Sequence, residues 1–237
     1  MTTPWHLGPL ASYDCETSGL DVANDRIVTA ALVRANGETL RWMADPGVDI
    51  PTKASDIHKV TTAYARKHGQ RAGLVVEQIA DAIAGEMSAG RAALVVMNAP
   101  FDLPLLDAEC ARHGVPTVAD RIGRVGPVVD PLVMDRAADK YRKGKRTLEA
   151  LAAHYEVELT DAHSADADAQ AALDVALRIA ERFPQLQVPA EVLHGWQVTW
   201  HARWAEDREA YGRRTNPDFT ISREWPLASA AVEEASA

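Results

Sequence analysis

The sequence predicts an α/β domain with a mixed sheet of five strands flanked by helices, followed by a C-terminal helical extension. Two observations carry the prediction. The chain opens with three strand-like segments, 10–16, 26–33 and 39–43, the last two joined by Asn36-Gly37, a strong hairpin signal. They form an antiparallel meander. From there, short apolar runs alternate with segments of helical period, the pattern of strands and helices packed in layers.

The first strand carries the stretch around which the rest is organised, Asp14-Cys15-Glu16-Thr17-Ser18-Gly19. Side chains alternate along a strand, so Asp14 and Glu16 share one face and Cys15 takes the other. Two adjacent carboxylates repel unless a cation lies between them, and hard divalent ions such as Mg²⁺ and Mn²⁺ take oxygen ligands. Thr-Ser-Gly is a turn that ends the strand. Alone, Asp-x-Glu is equally the solvated end of a strand.

After the meander, 45–51 is a loop and 54–60 a short helix ending near His58. Apolar residues at Val75, Ile79, Ala82 and Ile83 predict a helix over 74–87. The run 92–97 is wholly apolar, as expected of a strand covered on both faces. It is broken by Asn98-Ala99-Pro100 and followed by a helix over 102–113. Residues 128–130 read as the fifth strand, stopped by Pro131. Helices follow near 132–140, 147–155 and 164–183. A last helix over 191–213 carries Trp196, Trp200 and Trp204 at four-residue spacing. Such a stripe can be a stacking platform or a partner surface; packing against the domain is the expected role. The tail beyond Leu227 is small and acidic and is expected to be disordered.

Composition bounds the function. A chain of 237 residues, 47% hydrophobic and 25% charged, has the make-up of one ordinary globular domain. No apolar run approaches the roughly 20 residues that span a bilayer, and the N-terminus lacks a signal-peptide pattern. Two cysteines, Cys15 and Cys110, speak against a disulfide framework and for a reducing, cytoplasmic setting. A net charge of −9 argues against coating nucleic acid by bulk electrostatics, yet a local basic patch exists at Lys140, Arg142, Lys143, Lys145 and Arg146. No Gly-x-Ser-x-Gly, phosphate loop or Cys/His zinc spacing is present.

Three further features join the acidic turn. Asn98-Ala99-Pro100-Phe101-Asp102 sets a carboxylate just after a buried strand, where sites form in α/β sheets, although Asp102 could equally cap the helix. His163 precedes the 164–183 helix and Asp168 lies in its first turn; by residue type, Asp161 and Asp166 are equal candidates. Asp56-Ile57-His58 places an apolar–histidine pair in a loop.

In this order, Asp14-x-Glu16, Asp102 within Asn-x-x-Phe-Asp, and His163-x4-Asp168 resemble the DEDDh-type (DnaQ-like) 3′–5′ exonuclease family. That family includes the proofreading epsilon subunit of bacterial replicative polymerase, oligoribonuclease and ribonuclease T. The resemblance covers residues 10 to 183, and its His-x4-Asp spacing selects Asp168. It implies a ribonuclease H-like fold, with an exonuclease domain over 1–185 and an extension over 186–237. It implies hydrolysis at the 3′ end of DNA, in preference to RNA, with two divalent ions, Mg²⁺ or Mn²⁺. Asp14 would bridge the ions, Glu16 and Asp168 would hold the nucleophile-side ion, and Asp102 would hold the second through water. His163 would be the general base. Thr17, Ser18, Gly19, Leu20, Ile57, His58 and Phe101 would line the terminal-nucleotide pocket. The implied partners are the nucleic acid and a DNA polymerase subunit or other protein, although no convincing clamp-binding pentapeptide follows the domain. An exoribonuclease or oligonucleotidase on the same site is the alternative enzyme. A binding module with structural acids is the alternative class.

Overall fold

The computed structural model of the protein describes residues 3–88 and 92–227. Strands β1 (Leu10–Thr17), β2 (Ile27–Arg34) and β3 (Thr39–Asp45) form the antiparallel meander. A two-residue strand, β4 (Gln70–Arg71), runs parallel to the outer edge of β3. On the other side, β5 (Ala93–Val95) is parallel to β1, and β6 (Val128–Val129) is parallel to β5. The sheet therefore has six strands, in the order β4-β3-β2-β1-β5-β6, where five were expected. Gln70 and Arg71 are both exposed, so no apolar alternation marks β4 in the sequence.

β1 lies inside the sheet and divides two cores by its alternation. Ala11, Tyr13 and Cys15 face α3 (Ala72–Met87) and α4 (Ala99–His113), among Val75, Ile79, Ile83, Leu105 and Leu106. Leu10 faces the opposite layer of α6 (Pro131–Ala138), α7 (Leu148–His154) and α8 (Ala165–Arg182), with Met134, Leu151, Leu173 and Ile179. Helices α1 (Thr52–His58) and α2 (Thr62–His68) cover the β3 side. The sequence reading missed α2 and the five-residue α5 (Val118–Ile122). Both are started by threonine N-caps, with Thr61 accepting from the Tyr64 amide and Thr117 from Asp120. Neither is long enough to show a full apolar period.

The last helix, α9 (Ala190–Gly212), packs on β6 and α6. Its buried seam is Leu193, Gln197, His201, Ala205 and Glu209, one position past the tryptophan stripe. Trp200 packs partly against both cores, Trp204 is half-buried, and Trp196 is 38% exposed, which corrects the expectation that the stripe is the packing face. The reason is polar. Gln197 donates to the Val128 carbonyl at 2.9 Å and accepts from the Asp130 amide at 2.7 Å, so the seam is set by hydrogen bonds to the end of β6. The tail expected to be disordered, 228–237, lies outside the described residues. Among those described, no helix is long and apolar enough to cross a membrane, and Cys15 and Cys110 are buried free thiols.

Candidate active site

The site begins at the C-terminal end of β1. A register shift between Glu16 and Thr17 leaves Val28 of β2 as an extra residue, and the bulge re-aims the chain as it leaves the sheet. The turn that follows is pinned by Asp25. Its carboxylate accepts from Ser18 Oγ at 2.7 Å and from the Asp21 amide at 2.8 Å. A Cβ at Gly19 would meet the Asp25 carboxylate, which would have to shift from the hydrogen bonds that pin the turn.

Asp14 and Glu16 project toward α8, where Asp168 sits in the first turn. One carboxylate oxygen from each of Asp14, Glu16 and Asp168 lies within 4.8 Å of the others. Their surroundings oppose ionisation. Burial raises the Asp14 pKa, and the neighbouring Asp102, Glu16 and Asp168 charges raise it further. Burial and Asp168 push Glu16 up to about 7, and burial raises Asp168. Three hard-oxygen donors that repel one another at this spacing fit a divalent cation, which would relieve the repulsion. Asp166 belongs elsewhere: it pairs with Arg41 NH2 at 2.6 Å and contacts Ser164. The structure thus groups Asp168, not Asp166, with the β1 acids.

Asp102 is buried on α4, in the layer on the other side of β1, and stands outside this trio. Its Oδ1 accepts from both the Cys15 amide and the Cys15 thiol at 3.2 Å. Burial lifts its pKa to about 7 while those bonds pull it down. It is not the N-cap of α4, since Asn98 holds that position in the left-handed region, at φ 62°. Asp130 instead accepts from the Asn98 and Ala99 amides at 3.1 and 3.0 Å and from Trp225 Nε1 at 3.3 Å. The start of α4 is thereby tied to β6 and to the chain after α9. Sequence reasoning missed Asp130, whose amide partners lie far away in sequence, and Asp25, whose hydrogen bonds within the turn follow no motif.

His163 is exposed in the loop before α8, also left-handed at φ 68°. Its amide donates to both Asp168 oxygens at 3.3 Å, and its Nε2 lies 3.6 Å from Glu149 of α7. Glu149 is a further site neighbour that no motif announced.

Beside the acids lies a cavity of about 510 Å³, lined by Glu16, Thr17, Ser18, Gly19, Leu20 and Phe101 on one side and by Ile57 and His58 of α1 on the other. Cys15, Asp25, Pro51, Lys53 and Ala54 complete its wall. All seven residues expected to line a nucleotide pocket meet there. His58 is buried, its pKa is lowered by that burial, and its Nε2 has no hydrogen-bond partner among the described residues. A second cavity, of about 470 Å³, shares Ile57 and His58 and reaches His163 and Arg41. Imidazole, aromatic and aliphatic walls suit a flat polar ring, and a divalent cation held by the neighbouring carboxylates would draw in an anion joined to that ring.

A mixed sheet of this order, with carboxylates converging at the C-terminal end of β1, defines an α/β fold with a candidate metal site. More particularly, the exonuclease family model (RNase_T) matches residues 12–176, and the chain belongs to that family. It is 28% identical over 163 residues to the PolC-type DNA polymerase III of Lacticaseibacillus paracasei, a match covering 67% of this chain and 10% of that one. Solved structures show the same fold. E. coli exonuclease I in complex with a dT13 oligonucleotide superposes with a TM-score of 0.64 at 22% identity, over 76% of this chain and 42% of that one. A moderately thermophilic exonuclease I from Methylocaldum szegediense gives 0.65 at 21%, over 84% and 46%. The chain therefore spans a tenth of the curated relative and less than half of these structures.

Proposed function

We propose that the protein is a metal-dependent 3′–5′ exonuclease that removes 5′-mononucleotides from the 3′ end of single-stranded or mispaired DNA, in proofreading or repair. The observation that carries this reading is the Asp14–Glu16–Asp168 cluster opening beside the 510 Å³ cavity. The catalytic domain so read spans 1–185, with 186–237 as its extension. The dT13 bound by the E. coli neighbour favours DNA over RNA, and the likeness to a polymerase favours a polymerase subunit as partner.

Asp14 would bridge two ions, Mg²⁺ or Mn²⁺; Glu16 and Asp168 would hold one and Asp102 the other through water. When bound, the ions supply positive charge to the attacking and leaving oxygens of an in-line displacement. The residues of the chain do the rest. Phe101, Leu20 and Ile57 hold the terminal base, and the unpartnered His58 nitrogen and the Thr17–Gly19 turn orient its sugar. His163 takes a proton from the attacking water, and Glu149 beside it stabilises the imidazolium that forms. The new P–O bond forms as the upstream 3′ oxygen leaves and is protonated.

The test is a digestion of matched single-stranded DNA, mispaired duplex and RNA, each labelled, with Mg²⁺, Mn²⁺ or EDTA. Stepwise release of mononucleotides from an open DNA 3′ end, abolished by EDTA, is expected. Full activity in EDTA, or attack on a blocked 3′ end, refutes the reading. Faster RNA digestion assigns the site to an oligoribonuclease-type activity.

A further inference from the structure

Two features of the sequence take no part in the chemistry above: the tryptophan stripe of α9 and the basic stretch after α6. The structure brings them together. A groove of about 440 Å³ runs between α6 and α9, with Arg136 and Lys140 on one wall and Trp200, Arg203 and Trp204 on the other. The Arg136 guanidinium lies over the Trp204 ring at 3.7 Å from its centroid, and Trp196 extends the aromatic surface at 5.7 Å from Trp200.

The groove is cationic in a chain of net charge −9. Arg136, Lys140 and Arg203 have no ion-pair partner among the described residues, and Asp207 is the acid on the rim. Arg142 and Arg146 differ, since both are fixed on the buried Asp135, at 3.1 and 2.6 Å. That anchor holds the loop after α6 in place. Along it stand Lys143, Lys145 and Tyr141, the last 89% exposed. The loop runs into α7, where Glu149 lies 3.6 Å from His163. Cations without ion-pair partners among the described residues, interleaved with the exposed Tyr141 and Trp196 and the half-buried Trp200 and Trp204, thus extend from α9 toward the rim of the active site.

We propose that the α6–α9 groove and the adjoining loop form an auxiliary single-strand site, which holds nucleotides of the substrate upstream of the 3′ end being cut. This rests on the exonuclease reading. Phosphates meet Lys140, Arg203 and Arg136, and bases stack on Tyr141 and the α9 indoles, a sequence-tolerant mode of recognition. A polyanion with alternating flat apolar groups matches this surface, and the continuity with the catalytic rim favours the substrate over a separate acidic protein. Trp200, Arg203 and Trp204 lie beyond the residues that the family model matches, while Arg136, Lys140 and Tyr141 lie within them, so the α9 wall of the site is what this chain's extension adds.

The full-length protein, Arg203→Glu and Tyr141→Ala are compared on a trinucleotide and on a 20-nucleotide strand. Both positions are exposed, so folding is unaffected, and Arg203→Lys serves as the conservative control. Affinity for the longer strand, measured by anisotropy in EDTA, should fall about tenfold in each variant, as loss of one stacked base or phosphate contact predicts. The salt dependence should flatten by about 0.7 in log–log slope for Arg203→Glu, and Arg203→Lys should restore both. Trinucleotide hydrolysis should stay within about twofold of wild type. Unchanged affinity for the longer strand, or equal losses on both substrates, overturns the proposal. So does a poly-glutamate peptide that binds tighter than the oligonucleotide and is lost in the same variants, which would assign the groove to an acidic protein. If the wild type cuts neither strand, the exonuclease reading falls, while the binding comparison still reads the groove independently.

Discussion

Replacing Glu16 by glutamine should stabilise the metal-free protein while destroying its activity. In the folded chain, burial and the Asp168 charge raise the Glu16 pKa from 4.5 to about 7. The folded state therefore keeps a proton that the unfolded chain has released, and stability falls as pH rises from about 4.5 to about 7. A shift of that size corresponds to about 3 kcal/mol above pH 7, and the partial exposure of Glu16 reduces this to about 2 kcal/mol. Glutamine removes the charge at little change in volume, so at pH 8 in EDTA the variant should melt roughly 4–8 °C higher. At pH 5 the difference should shrink to under about 1 kcal/mol, because Glu16 is then protonated in the folded wild type. Added Mg²⁺ should raise the wild-type melting temperature and leave that of the variant nearly unchanged. Calorimetry at both pH values, with and without metal, checks all three. A variant equal to or less stable than wild type at pH 8 in EDTA would show that the acids are not mutually destabilising, and the metal-site argument would fail.

Asp14→Ala and Asp168→Ala should each reduce hydrolysis to background with the circular dichroism spectrum intact, whereas Asp166→Ala, which loses a contact with Arg41, should retain activity on a labelled oligonucleotide. His163→Ala should cost about 10²–10⁴ in rate at little change in KM, while His58→Ala should mainly raise KM. Gln197→Leu leaves the Asp130 amide and the Val128 carbonyl without their partner. It should lower stability by about 2–6 kcal/mol in a denaturant titration, at about 1–3 kcal/mol for each of the two buried groups. Trp225→Phe removes one donor from Asp130, so its cost should be near 1 kcal/mol.

Much of this protein was legible in one dimension. The meander, the buried 92–97 run and the long helices follow from local patterning, because alternation and helical period report which faces are covered. Asp14, Glu16 and the turn after them could be placed at one site because strand geometry fixes neighbouring side chains without reference to the rest of the fold. The candidates on separate elements needed the resemblance, since residue type alone left Asp161, Asp166 and Asp168 equivalent. Tertiary structure decided what depends on contacts across layers. Asp166 is drawn off by Arg41 of β3, and Asp102, on the opposite face of β1, is held by the Cys15 amide and thiol outside the acidic trio. Asp130 ties α4 to a tryptophan 95 residues away. The role of α9 was likewise invisible: a four-residue tryptophan repeat reads as a core stripe. The helix turns instead on the hydrogen bonds of Gln197, whose partners lie nearly 70 residues upstream, and so presents its indoles to a cationic groove. Local periodicity reports that a face will be covered; which groups cover it is settled by polar atoms that find partners only once the layers have assembled.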